Sequence, residues 1–300
     1  MRVSTAQLQL RGTNAMLERQ SELSKTQMQL STGKRILTPG DDPVGTTQIL
    51  PLNETISKNK QYTTNGESAQ TRLALEDSTL GQASNIITRV SELAIQGNNG
   101  SLNATDRTII AQEVRQLQAS LMALANTADS SGEYIFAGHN VKTTPFTESP
   151  AGTFNYTGDQ GQRQVQLGTS QQVSMGNPGD EVFMNIPYSG GGTQNVFQTI
   201  EDLATNFEAN VQDTTALTDI NAALDNFLSV RATVGARLNT IDNQRLVNEE
   251  LVLQSESTLS SIEDLDYAEA ISRLNLQLVA LQASQQSYSK IQSLSLFNYL

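Results

Sequence analysis

Ile110-Ala111-Gln112-Glu113-Val114-Arg115-Gln116-Leu117-Gln118-Ala119-Ser120-Leu121-Met122-Ala123-Leu124, residues 110–124, carries the clearest structural signal in the chain. Ile110, Val114, Leu117, Leu121, Leu124 and Ala128 step by four, three, four, three and four, while Arg107, Glu113 and Arg115 fall off that seam. This is the stripe of a helix that packs lengthwise against other helices. Thr105-Asp106 supplies its start, and Ile110, Val114, Leu117, Leu121 and Leu124 are the expected core of a helical shaft.

Outward from that seam, Leu73, Leu80, Ile87 and Ala94 recur every seven residues in a helical region running from about Leu52 through Ile95, closed by Gly97-Asn98-Asn99-Gly100. From about Gly132 to Thr193 the texture changes to glycine, proline and aromatics with period-two alternation at Phe154/Tyr156, Val165/Leu167 and Val182/Met184/Ile186, which predicts β-hairpins. Ser189-Gly190-Gly191-Gly192-Thr193 reads as a flexible return. Helical spacing resumes at Val196, Ile200, Leu203, Phe207 and Val211, then at Leu217, Leu224, Phe227, Val234, Leu238 and Ile241 toward Leu251. The expected fold is mainly α, with a small β-rich insertion. The helices before and after that insertion would pair antiparallel as coiled-coil-like elements of an elongated rod.

The two ends are similar to one another. Residues 1–38 and 259–300 hold apolar residues at helical spacing, contain no proline, and fill the remaining positions largely with Gln, Ser and Thr. Val3, Leu10 and Leu17 recur every seven residues, and Met16, Leu23, Leu30 and Leu37 do so one position out of phase. At the other end Ile271, Leu274, Leu278 and Leu281 are followed by Tyr288, Ile291 and Leu294. A helix pair covers only one face of each partner, so these ends are expected to become fully ordered when neighbouring subunits cover them. Val3, Leu10, Leu17, Leu23, Leu30, Ile271, Leu274, Leu278, Leu281, Tyr288, Leu294 and Leu296 are the expected subunit-packing positions. Thr38-Pro39-Gly40-Asp41-Asp42-Pro43 marks the end of the first helix, and Gly33 is expected to be a flexible point inside it.

Composition narrows the function. The net charge is −12, yet residues 1–40 sum to +4 and residues 270–300 to +2, leaving −18 on the body. That balance argues against a nucleic-acid footprint. No apolar run approaches the roughly 18 residues of a membrane span, so no membrane insertion is expected. The N-terminus lacks the pattern of a cleaved signal peptide. Cysteine is absent and His139 is the only histidine, which removes thiolate chemistry and two-histidine metal sites. Asp41-Asp42 reads as a turn and helix cap rather than a metal pair. Thr32-Gly33-Lys34-Arg35 fails as a phosphate loop. Tyr156, Asp159 and Arg163 form the one polar cluster in the β segment, read as a hairpin tip in preference to a ligand site. No catalytic residue, cofactor or metal is expected.

Leu30-Ser31-Thr32-Gly33-Lys34-Arg35-Ile36 followed by Asp41-Asp42-Pro43-Val44-Gly45 resembles the signature of the bacterial flagellin family. Pro43 and Val44 stand where flagellins usually carry small alanines. Gly132-Glu133-Tyr134-Ile135-Phe136-Ala137-Gly138, Gly176-Asn177-Pro178-Gly179-Asp180-Glu181-Val182-Phe183 and the ending Leu294-Ser295-Leu296-Phe297-Asn298-Tyr299-Leu300 are similar to the branch of that family that joins hook to filament. The resemblance implies a non-enzymatic structural protein of the extracellular flagellum, required for filament assembly and motility. It implies export through the flagellar type III apparatus without a cleaved signal peptide. The implied partners are other copies of the chain in a ring, the hook-side hook-associated protein, flagellin and a flagellar export chaperone. The corresponding division is a terminal assembly domain (1–44 plus 256–300), a helical shaft (45–139 plus 194–255) and an outward-facing β-rich insertion (140–193). A flagellin-type filament subunit is the alternative.

Overall fold

The structure is a computed structural model that describes residues 5–149 and 152–293. Val3, Leu294 and Leu296 lie outside the described residues. In chain order the helices are α1 (Thr5–Thr32), α2 (Pro43–Gly97), α3 (Ala104–Ala125), α4 (Val196–Glu208), α5 (Ala216–Glu263) and α6 (Tyr267–Ser293). Six short strands lie between α3 and α4: β1 (Phe146–Glu148), β2 (Phe154–Tyr156), β3 (Gln164–Gln166), β4 (Gln172–Ser174), β5 (Ile186–Pro187) and β6 (Thr193–Gln194). They pair consecutively as three separate antiparallel two-stranded sheets. The chain divides into two compact units, residues 1–58 with 251–300 and residues 59–250. Among the described residues, no helix is long and apolar enough to cross a membrane.

The second unit is built on the seams of its long helices. Leu73, Leu80, Ile87 and Ala94 of α2 are fully buried, as are Val114 and Leu121 of α3, with Ile110 nearly so. Leu117 and Leu124 are half-buried against the same core. Each such Leu or Ile removed from water contributes about 1.5–3 kcal/mol. Ala128, the last residue of the predicted seam, lies past the end of α3 and bridges to Tyr134. The start of α3 is a capping box, with the Asn103 side chain accepting from the Asp106 N–H and the Asp106 carboxylate accepting from Asn103. Arg107 is buried and donates to the carbonyls of Gly97 and Asn99 and to the Asn210 side chain, satisfying the open C-terminal end of α2. Arg115 pairs with Glu201 at 2.9 Å and also with Glu208, tying α3 to α4.

The β segment shares this core. Phe183 meets Phe136, Phe146 and Phe227 at ring separations of 5.1, 5.3 and 5.3 Å, all near edge-to-face. Phe146 and Phe154 approach Phe197 of α4. Two expectations are corrected here. Residues 182–186 are not one strand: Asp180–Met184 is a single π-helical turn, and only Ile186–Pro187 is extended. Val182 and Phe183 are consecutive and both buried, which a strand with alternating faces cannot achieve on one side. Asn226 of α5 donates to the carbonyls of Glu181 and Val182, satisfying groups inside that turn. The glycine-rich return is also structured. It is the β5–β6 hairpin, with Gly191 and Gly192 at φ +93° and +85°, anchored where Asp219 accepts from both the N–H and the hydroxyl of Ser189.

Candidate assembly interface

The first unit contains the terminal helix pair, α1 against α6. Its breaks fall at different places from those expected. α1 stops at Thr32 rather than continuing to Thr38, because Gly33 adopts φ +71° and its N–H bonds back to the Gln29 carbonyl. Gly33 is thus a helix terminator rather than a flexible interior point. The stretch from 259 to the end is likewise not one helix. α5 runs on to Glu263, and α6 starts afresh at Tyr267, where the Asp266 carboxylate accepts from the N–H groups of Ala268 and Glu269.

The two breaks hold each other. Arg35 N–H donates to the Glu263 carbonyl at 2.7 Å and Leu265 N–H donates to the Gly33 carbonyl at 2.9 Å, around a bridge between Lys34 and Asp264. The Gln29 amide donates to the Arg35 carbonyl at 2.6 Å, and Lys34 pairs with Glu263 at 2.6 Å. No sequence pattern advertised this clasp, although Gly33 and the Asp264/Asp266 pair were its visible traces.

Asp41 and Asp42 act as turn and cap acceptors. Asp41 accepts from the N–H groups of Leu37 and Thr38 and pairs with Lys25, whose ammonium, with the Thr38 N–H, holds its carboxyl down to about 2. Asp42 accepts from Gly45 N–H at 2.9 Å and from Arg35, which lowers its pKa. Pro43 therefore occupies the first position of α2, where a missing N–H costs nothing.

The expected packing residues fall on two faces. Leu23 is buried, and Leu30, Leu274, Leu281 and Tyr288 are half-buried. On α6 the inward positions Ala270, Leu274, Gln277, Leu281, Ser284 and Tyr288 step four, three, four, three, four. Leu10, Leu17, Ile271 and Leu278 are instead exposed, at 63, 55, 50 and 39 %. Met28, Leu276 and Val279, which sequence spacing did not single out, are exposed at 54, 70 and 64 %. The two out-of-phase heptads of α1 thus divide the work, with Met16, Leu23 and Leu30 toward the covered side and Leu10 and Leu17 toward solvent. Leu17, Met28 and Leu37 also line a groove closed by Lys25 and Asp41.

The polar cluster of the β segment is engaged internally. The Tyr156 hydroxyl lies within hydrogen-bond distance of the Phe136 and Asp159 carbonyls, at 2.9 and 2.8 Å, and burial pushes its pKa up to about 12. Asp159 accepts from the N–H groups of His139 and Gly161, and Arg163 contacts Glu133 at 3.4 Å. His139 itself is exposed on its loop. Among the described residues, no three His, Cys, Asp or Glu side chains are grouped to hold a metal ion.

The chain matches the bacterial flagellin N-terminal helical region over residues 3–141 and the bacterial flagellin C-terminal helical region over residues 217–300. It is 31 % identical to flagellar hook-associated protein 3 of Escherichia coli, covering 99 % of both chains. The chain belongs to the flagellar hook-associated protein 3 family. The crystal structure of Xanthomonas campestris FlgL, at 26 % identity, superposes with a TM-score of 0.63 over 70 % of this chain and 99 % of that one. By contrast, the flagellar filament 33 kDa core protein of Treponema phagedenis, 30 % identical, is matched over 60 % of this chain and 63 % of its own. Filament proteins are thus the more distant relatives. The family's fold agrees with what the residues build: helical seams with a small strand-containing region between them.

Proposed function

We infer that this protein is a structural component of the bacterial flagellum that joins the hook to the flagellin filament, and that filament growth and motility depend on it. End-to-end similarity to hook-associated protein 3 carries this reading. The uncovered apolar face of the terminal pair supports the manner of attachment. Leu10 and Leu17 on α1 and Ile271 and Leu278 on α6 are exposed, whereas Leu23 is buried. The terminal segments that carry them are otherwise filled largely with Gln, Ser and Thr, which allow helices to pack closely with little charge repulsion. Residues 1–44 with 256–300 are the assembly segment, in which Val3, Leu294 and Leu296 extend the apolar stripes; 45–139 with 194–255 are the shaft, and 140–193 face outward. The subunits form a ring between the hook-side hook-associated protein and flagellin, delivered by a flagellar export chaperone without a cleaved signal peptide. The role is mechanical rather than enzymatic.

Seeded assembly separates this function from that of a filament subunit. Purified protein mixed with hook fragments that carry the hook-side hook-associated protein should add a limited cap and stop, whereas continued elongation into filaments would establish the flagellin alternative.

A further inference from the structure

Two Asn-Gly pairs stand in the sequence, Asn65-Gly66 and Asn99-Gly100, and the second unit sets them in opposite states. A glycine after asparagine leaves its peptide nitrogen unshielded, within reach of the preceding side-chain amide carbon. Asn65-Gly66 lies inside α2, where helical bonding engages the Gly66 N–H. Gly66 is also buried, and the Asn65 amide donates to the Gln166 carbonyl at 3.0 Å. Asn99-Gly100 lies past the end of α2, exposed in the turn that leads to α3. There the Asn99 Oδ1 accepts from both the N–H and the hydroxyl of Ser101, each at 3.0 Å. The first of these bonds closes a ring through the Gly100 peptide, folding the Asn99 side chain back toward the Gly100 nitrogen. Among the described residues, neither the Gly100 N–H nor the Asn99 Nδ2 has a hydrogen-bond partner. The Asn99 main-chain carbonyl accepts from buried Arg107 at 3.1 Å and from the Leu102 N–H at 3.2 Å.

We propose that Asn99-Gly100 is a self-modification site, at which the folded turn converts Asn99 to aspartate and isoaspartate without an enzyme. Solvent base takes the Gly100 amide proton, and the nitrogen forms a bond to Asn99 Cγ. The carbonyl electron pair moves onto Oδ1, where the two Ser101 donors stabilise it. As that pair returns, the Cγ–Nδ2 bond breaks, and Nδ2 takes a proton from water and leaves as ammonia. The product is a cyclic imide, which water opens. Addition at Cγ gives aspartate, and addition at the main-chain carbonyl carbon gives isoaspartate. Water is consumed, ammonia is released, and nothing is oxidised or reduced. In the isoaspartyl product the former Asn99 main-chain carbonyl is a free carboxylate set against the Arg107 guanidinium, a charge pair that favours this branch. The converted fraction counts the time a chain has spent folded, whatever it assembles with.

Full-length protein held at mildly alkaline pH, folded or unfolded in guanidinium chloride, tests the proposal. Tandem mass spectrometry of the tryptic peptides spanning 61–72 and 90–107 reads the two sites separately. In the folded protein Asn99 should convert at least about tenfold faster than Asn65, whose attacking nitrogen is freed only when α2 opens. In the unfolded chain the two rates should converge. Ser101→Ala removes one donor to Oδ1 and should slow Asn99 by about fivefold when folded, the scale of one exposed hydrogen bond, while leaving the unfolded rate nearly unchanged. A Cβ at Gly100 would make only an ordinary contact, 3.6 Å from the Gln212 amide. Gly100→Ala should therefore keep the thermal unfolding midpoint of the wild type and slow Asn99 further than Ser101→Ala does. Equal rates at the two sites in the folded protein, an Asn99 that stays intact there, or a folded rate indifferent to Ser101→Ala overturns the proposal.

Discussion

Replacing Glu76 by glutamine will change how the stability of the second unit depends on pH. The Glu76 side chain is fully buried on α2. Its Oε1 accepts from the Asn177 amide at 2.7 Å, while its Oε2 has no hydrogen-bond partner. Arg237 of α5 donates to the Asn177 side chain at 3.0 Å, and Arg72, one turn before Glu76, is drawn toward Asp129 and Glu133. Arg163 also bears on Arg72. Burial outweighs the Asn177 hydrogen bond and the attraction of Arg237 and Arg72, raising the Glu76 pKa from 4.5 to about 7. The folded state therefore holds a proton that the unfolded chain has released, and stability present at low pH is lost as pH rises through about 7. At 1.36 kcal/mol per pH unit, about 2–3 kcal/mol of that loss falls between pH 5 and pH 8. Urea unfolding of the wild type and Glu76→Gln at both pH values measures it. The stability of the variant relative to the wild type should rise by about 2–3 kcal/mol from pH 5 to pH 8. A gap that stays constant over that range would refute the reasoning.

Other consequences of the packing are as direct. A Cβ at Gly97 would fall 2.3 Å from the ring of fully buried Phe207, so Gly97→Val should destabilise the protein by about 1–3 kcal/mol in denaturant titration. Leu121→Ala empties a fully buried position on the α3 seam and should cost about 2–5 kcal/mol by the same assay. Leu17→Glu combined with Leu278→Glu alters only outward positions of the terminal pair. It should change monomer stability by no more than about 0.5 kcal/mol per site, yet abolish filament formation when the variant is the sole copy in motile cells.

The parts of the fold legible in the sequence are those where an unbroken heptad of apolar residues faces inward. The α2 and α3 seams hold such a run, although Glu76, Arg107 and Gln118 are buried beside it, and Leu73, Leu80, Ile87, Val114 and Leu121 could be named from spacing alone. The terminal pair breaks it. On α6 the covered face includes Ala270, Gln277 and Ser284, whereas Ile271, Leu276, Leu278 and Val279 look outward. An apolar count along that helix therefore mixes two faces. On α1, Thr26 and Gln29 are buried polar residues, and Gln29 is held by its bond to the Arg35 carbonyl. The π-helical turn was hidden because Val182, Met184 and Ile186 satisfy a period of two by chance, and a five-residue window cannot separate that from a tight helical turn. The clasp between Gly33–Arg35 and Glu263–Leu265 is made by backbone groups more than two hundred residues apart, which no local pattern records.

The central claim is that this chain joins hook and filament, and cells from which it has been deleted test it most directly. Electron microscopy of their surface, together with immunoblotting of the medium, should find hooks of normal length without filaments and flagellin released as free subunits, with both defects reversed by restoring the full chain. Filaments still growing from the hooks of the deleted cells would contradict the account.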